Sequence, residues 1–417
     1  METKMPKRLP YGSSNFETIR TGSYAYIDKT RFIEQLEQEN NSNLLFTRPR
    51  KFGKSLFCSM LSHYYDINQA GKFEQLFGDL YIGQHPTPKH NSYMVLKLDF
   101  SEVDTSSEER FRASLSNKIQ DSVREFLKYY KHLLAHGDIY SELITAEQSG
   151  VGALRKAFNA AEAAGKKVCV IIDEYDHFAN DLIAQGTDAC RHLMRANRVI
   201  RDFYETLKEG SKTVVDRIIL IGITPIMLND ITSGFNISHN LSLNPRYNEM
   251  LGFTQEEVST LMKEAGVEPS MISVNMELFY NGYRFHPDGE HKVYNPAMML
   301  YLFDQTLRFK NRMENVIDEN LKTDYGRLQM LIENERNRNL LIEIAENNGI
   351  NSEIISKFSV DQLHDSEYFP SLLFYMGLLT IDRYEGGITY LKIPNYSIRT
   401  IYGDYILQLT KDRNKEV

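Results

Sequence analysis

Lys54, Ser55, Asp173 and Glu174 are the residues whose types and spacing could do chemistry, and that chemistry would be on a phosphate. Arg48-Pro49-Arg50-Lys51-Phe52-Gly53-Lys54-Ser55 follows the apolar run Leu44-Leu45-Phe46 and precedes Leu56-Phe57-Cys58-Ser59-Met60-Leu61. That is strand, turn, helix, and its Gly-Lys-Ser end matches the second half of a phosphate-binding loop. In such a loop backbone N–H groups and a helix N-terminus face the phosphates, where the helix dipole favours negative charge. Lys54 would reach the β/γ-phosphates, and Ser55 would hold a magnesium ion. The stretch Arg50, Lys51, Phe52, Gly53, Lys54, Ser55 and Leu56 is therefore the expected nucleotide cradle. The general pattern has Gly where this chain has Arg48, because the turn leaves little room for a side chain. A bare Gly-Lys-Ser/Thr also arises by chance in about one chain in five of this length. An independent signal is needed.

Val168-Cys169-Val170-Ile171-Ile172-Asp173-Glu174 supplies it. A short apolar run ending in acids reads as a buried parallel strand with carboxylates at its C-terminal tip. Ligands in open α/β sheets bind at that edge. Asp173 is the expected metal ligand, and Glu174 the group that polarises a water toward the γ-phosphate. The plainer reading of this stretch alone is a strand running into a polar loop. A third buried run, Arg217 to Thr224, ends in a hydroxyl. Thr224 is the candidate sensor of the γ-phosphate or its water, against the plainer reading of a capped strand end.

These residues need a sheet and helices to position them. Asp28 is the expected cap of a helix from about Lys29 to Glu39, and Tyr93 to Phe100 reads as a second strand ending near Asp99. Asp99 reads first as a cap for the segment after that strand, with support of the metal site as the alternative. Helical spacing of Phe111, Leu115, Ile119, Val123, Phe126 and Leu127 predicts a helix from Glu108 to Tyr130. A second, Ala-rich helix runs from Val151 to Ala164 and stops at Gly165. This alternation is the α/β pattern. Tyr11 and Phe16 read mainly as packing residues, with covering of an adenine base as the alternative, and His177 reads as a surface-loop histidine. A basic helix, about Asp188 to Lys208, carries Arg191, Arg195, Arg198 and Arg201. A solvated face is its plain reading; the sharper one is an arginine for the γ-phosphate. Arg246 and Arg284 are further candidates for that role. Thr254-Gln255-Glu256-Glu257 is a capping box for a helix to about Ala265, and His239 to Leu243 a short fifth strand.

Beyond residue 265 helical periodicity dominates: Pro296 to Phe309, Asp324 to Asn347, and a short piece near Glu353 to Phe358. Two apolar runs flanking Glu385-Gly386-Gly387 give a hairpin signal.

The motif set resembles the bacterial AAA-ATPase-like family. The resemblance rests on the loop at 48–55, Ile-Ile-Asp-Glu-Tyr-Asp at 171–176 and Gly-Ile-Thr-Pro-Ile at 222–226. It extends to Tyr26-Ile27-Asp28-Lys29-Thr30, Thr232 to Asn236, Asn248 to Thr254, Tyr280 to Phe285 and Tyr294-Asn295-Pro296. It implies an additional-strand, AAA-like P-loop sheet with helices on both faces, ATP with Mg2+ as cofactors, and a winged-helix-like C-terminal lid. It also implies that Arg is common at the first glycine position. Many members carry a C-terminal nuclease-like domain, which this chain is expected to lack.

The expected domains are an ATPase unit over 1–265 and a mainly helical, winged-helix-like lid over 266–417. Composition fits this: of 417 residues 42% are hydrophobic and 25% charged, enough for a large core. A net charge of −8 gives no support to sequence-independent nucleic-acid binding, though it is compatible with a local basic patch. No apolar run is long enough for a membrane span, no secretory signal is expected, and Cys58, Cys169 and Cys190 are expected to be buried thiols in a reducing cytoplasm. The expected function is a slow Mg-dependent ATPase switch, with a protein partner or homo-oligomer compatible. A nucleotide-binding scaffold with little turnover is the alternative, and P-loop kinase chemistry a weaker one.

Overall fold

The computed structural model describes residues 5–134, 149–178, 197–226, 237–309, 334–357 and 365–413, with isolated positions at 317, 318, 332 and 362. Its centre is a parallel sheet of β1 (Asn43–Thr47), β2 (Met94–Asp99), β3 (Val168–Asp173), β4 (Val215–Gly222) and β5 (His239–Asn240). The strand order is β2-β3-β4-β1-β5. β4 lies between the loop strand β1 and the acidic strand β3, pairing with both. That intervening strand is the extra one the fold class anticipates. Residues 168–172 of β3 are buried throughout, as a strand covered on both faces requires.

The principal helices are α1 (Phe16–Thr21), α2 (Arg31–Glu37), α3 (Lys54–Tyr65), α4 (Glu108–Tyr129), α5 (Gly150–Ala163), α6 (Asn197–Gly210) and α7 (Gln255–Ala265). They are followed by α8 (Pro296–Phe309), α9 (Glu335–Asn347), α10 (Phe369–Tyr375) and α11 (Tyr396–Arg413). The apolar face predicted for α4 is the one it buries. The Thr254 capping box forms with both of its reciprocal bonds to Glu257. α2 starts later than expected: Asp28 accepts hydrogen bonds from the amide and hydroxyl of Thr30, and helical geometry begins at Arg31.

Three further strands, β6 (Gly349–Asn351), β7 (Thr380–Glu385) and β8 (Ile388–Lys392), form an antiparallel sheet in the order β6-β8-β7. The hairpin turns at Gly386 and Gly387, whose φ of 61° and 84° are left-handed values glycine adopts without strain. The sequence carries no signal for β6, because its short, half-exposed run has no period to read. The helix expected near 353–358 is absent at 353–357, where the chain is irregular and Ser371 bonds the Ile355 amide. Cys58 and Cys169 are buried free thiols, and Cys190 lies outside the described residues.

Candidate nucleotide site

The loop from Arg48 to Gly53 owes its shape to two left-handed residues, Lys51 (φ 66°) and Gly53 (φ 90°). Backbone of alternating hand turns successive amides to one side, the arrangement that makes an anion-binding nest. Gly53 is the N-cap of the twelve-residue helix α3, so the positive end of that helix adds to the nest. Lys54 is the first helical residue and is buried, its amine donating to the carbonyls of Arg48 (3.2 Å) and Pro49 (3.1 Å).

The acidic strand ends opposite. Lys54 Nζ lies 4.0 Å from Glu174 Oε1, and the Ser55 hydroxyl bonds the Asp173 carboxylate. β2 and β3 are in register at Asp99 and Asp173, so a third carboxylate stands at the same edge. Asp99 accepts the Ser101 amide at 2.9 Å, the capping role expected of it, and its charge also pushes the Asp173 carboxyl up. Burial is the main cause of that upward shift, opposed by Ser55 and Lys54. Glu174 is likewise raised, first by burial, with Lys54 and Arg50 opposing. Glu174 has φ 50°, a left-handed value that is costly outside glycine. Its amide donates to Asp173 Oδ1 at 3.0 Å and its carbonyl accepts the His177 amide at 3.0 Å, which hold the turn.

A cavity of about 560 Å3 joins these groups. Arg50 through Leu56, Asp99, Asp173, Glu174 and His177 line it, so all seven expected cradle residues face one space with both expected acids. His177 lines the cavity although it reads as a surface residue in the sequence. Apolar side chains line the same cavity: Tyr11, Ile27, Leu251, Phe253, Leu261 and Leu300. Tyr11 therefore faces the cavity, its hydroxyl bonded to Asp318 at 2.6 Å, whereas Phe16 is fully buried against Phe77 and Tyr26. The walls from 250–253 and 296–300 escaped sequence reading. The signal available for them was the turn before the capping box and the Tyr-Asn-Pro before α8.

Several candidates stand elsewhere. Thr224 is 0% exposed and does not line the cavity. Its hydroxyl and amide both donate to Asp176, at 2.6 and 2.7 Å, so it is spent on tying β4 to the turn after β3. Arg246 reaches Gln38, and Arg284 reaches the Asp382 carbonyl beside β7. Arg198 is exposed and pairs with Asp202, and Arg201 with Glu205. None of these four lines the cavity. Arg191 and Arg195 lie outside the described residues.

Arg48 resolves the departure from the general loop pattern. Its side chain is 1% exposed and turns away from the cavity, donating to the carbonyls of Thr47, Ser242 and Tyr247. The guanidinium lies between the rings of Phe46 (4.2 Å) and Phe285 (3.9 Å). The rest of the loop is also held from the C-terminal part. Phe52 meets Tyr283 edge-on at 5.0 Å, the Ala297 amide donates to the Lys51 carbonyl, and Asn295 reaches the Arg50 carbonyl.

The raised Asp173 carboxyl fixes a sign. A carboxyl whose folded pKa exceeds its unfolded one holds its proton more tightly when folded, so its contribution to stability falls as pH rises through that window. Asp173→Asn should therefore melt above the unmutated, metal-free chain at pH 7.5, by a few degrees. The gap should close as pH falls below the ordinary carboxylate range. Thermal unfolding at both pH values checks this, and an equal gap at both would contradict it.

The chain is 28% identical over 303 residues to an uncharacterized protein encoded in the vnfD 5′ region of Azotobacter chroococcum mcd 1. That match takes in 72% of this chain, which spans about half (52%) of the relative's length. Among solved structures, the Walker-type ATPase PABY2304 of Pyrococcus abyssi is similar at 16% identity and a TM-score of 0.49, over 90% of this chain and 94% of that one. No helix among the described residues is long and apolar enough to cross a membrane. The profile of the predicted AAA-ATPase family matches residues 10–232, more than half the chain, and with a phosphate loop facing an acidic strand across one cavity the chain belongs to that family of ATP-binding proteins.

Proposed function

We propose that the chain binds Mg–ATP between the 48–55 loop and the acids ending β3, hydrolyses it slowly, and passes the state of the loop to its C-terminal part. The observation that carries this reading is the meeting of Lys54, Ser55, Asp173 and Glu174 in a cavity that apolar side chains also line. Apolar lining suits a base and a nest suits phosphates.

Magnesium takes hard oxygen ligands and keeps several waters, and this edge offers such oxygens in the Ser55 hydroxyl and the Asp173 carboxylate, with Asp99 lining the same cavity. Ser55 and Asp173 would hold the ion, which when bound neutralises phosphate charge. Lys54 would exchange the carbonyls of Arg48 and Pro49 for phosphate oxygens. Glu174 would accept the proton of the attacking water, a role suited to a carboxyl raised by burial. Arg50 stands close enough to influence Glu174 and is the arginine that lines the cavity among the described residues. No second arginine candidate among the described residues lines the cavity. An arginine at the transferred phosphate is worth a large factor, so with Arg50 the single arginine lining the cavity among the described residues slow turnover is the expected outcome.

The coupling rests on the same loop. Its carbonyls at 50 and 51 are bonded by residues 295 and 297, and Pro49 abuts Gly377. A change at the phosphates thus meets the unit over 266–417 directly. Phosphate release at about 10⁻³ to 10⁻² s⁻¹, abolished by chelating magnesium, is the expected result. Nucleotide binding without any release would favour a nucleotide-regulated scaffold instead.

A further inference from the structure

A second, smaller pocket of about 280 Å3, sharing no lining residue with the nucleotide site, lies where α11 begins against β8. Three cations line it, Lys292, Lys392 and Arg399, against one acid, Glu277. This runs against the chain's overall charge of −8. We propose that this pocket binds a phosphate-sized dianion, free or at the end of a small molecule, independently of the nucleotide site.

Four observations converge on it. α11 has 18 residues, and its N-terminus opens on the pocket, where a helix dipole favours negative charge. The helix start is fixed rather than frayed: Asn395 accepts the Ile398 amide at 3.1 Å and donates to the Asn281 carbonyl at 2.9 Å. Arg399 is likewise placed, reaching the side chain of Asn348 at 3.5 Å. Lys292 is the telling residue. It is half-buried, and among the described residues its amine makes no hydrogen bond or ion pair. Burial lowers its pKa, and the charges of Lys392 and Arg284 lower it further, so an anion in the pocket would relieve like-charge crowding. Lys392 is partly neutralised by Asp382 at 2.5 Å, which leaves Lys292 and Arg399 as the main charges. The volume is near the lower limit for ligand cavities, which fits a phosphate group better than a whole nucleotide.

The pocket is joined to the phosphate loop by a short path. Lys292 precedes Val293 and Tyr294, which bridge to Tyr283 and Phe253, and Asn295 comes next in the chain and bonds the Arg50 carbonyl.

Inorganic phosphate would also enter the nucleotide loop, so the test uses the Lys54→Ala chain, in which that loop is disabled. Calorimetry with inorganic phosphate at fixed ionic strength should find one saturable site. Adding Lys292→Met should weaken it at least tenfold, and Arg399→Gln, on an exposed helix surface, should weaken it without altering melting. Arg399→Gln alone decides the matter if Lys292→Met fails to fold. Repeating the titration with AMP separates the sources: equal affinity means the phosphate is read at the end of a larger molecule, and exclusion of AMP means free phosphate. Absence of a saturable site in the folded Lys54→Ala chain, or the same affinity in the Arg399→Gln variant, overturns the proposal.

Discussion

Replacing Glu174 by Gln should leave Mg–ATP affinity within about threefold of the unmutated chain and lower phosphate release by about 10² to 10⁴. The reason is positional. Glu174 is held in a left-handed turn just beyond β3, with its carboxylate 4.0 Å from the Lys54 amine and its pKa raised by burial. Gln keeps the shape and removes the proton acceptor. In the proposed reading binding rests on the loop amides, Lys54 and the apolar lining, none of which the substitution removes. Loss of the negative neighbour also frees Lys54, so a modest gain in affinity is compatible. Equilibrium binding and a phosphate-release assay on one preparation separate the two effects. Unchanged release would remove Glu174 from its role and direct attention to Asp99 or His177, which line the same cavity.

Arg48→Gly restores the general loop pattern and is nevertheless expected to destabilise the fold by at least about 3 kcal/mol. The guanidinium fills a fully buried space between Phe46 and Phe285 and donates to three backbone carbonyls. Glycine leaves that volume empty and orphans the acceptors. It also frees a backbone position that Arg restricts. Arg48→Met, which keeps most of the volume, should recover part of the loss. Urea unfolding of the three chains measures this; a glycine variant as stable as the original would mean that Arg48 is only tolerated where it sits.

The same arginine marks where sequence reading stops. The nest was legible because Gly53 and Lys54 have local reasons to be where they are: a left-handed turn and a helix start. The acidic strand was legible because five buried apolar residues in a row admit few alternatives to a central parallel strand. Asp173 and Lys54 could be expected to meet because the tip of β3 and the loop leaving β1 lie at one sheet edge. Arg48 was legible as a departure but not as a bridge, since Ser242, Tyr247 and Phe285 are brought to it by tertiary contacts alone. Thr224 misled for a related reason. A hydroxyl at a strand end looks alike in sequence whether it faces a ligand or a buried acid, and here Asp176 takes it. The apolar lining of the cavity drew on segments separated by more than two hundred residues, from Tyr11 to Leu300, and no local period announces such a wall.

The central claim is that the loop at 48–55 and the acids at 173 and 174 form one anion site for Mg–ATP. Titrating the unmutated chain with Mg–ATP in a calorimeter tests it most directly. One site per chain is predicted, with binding lost in the Lys54→Ala chain. No heat from the folded, unmutated chain at any magnesium concentration, or equal binding by both chains, would contradict it.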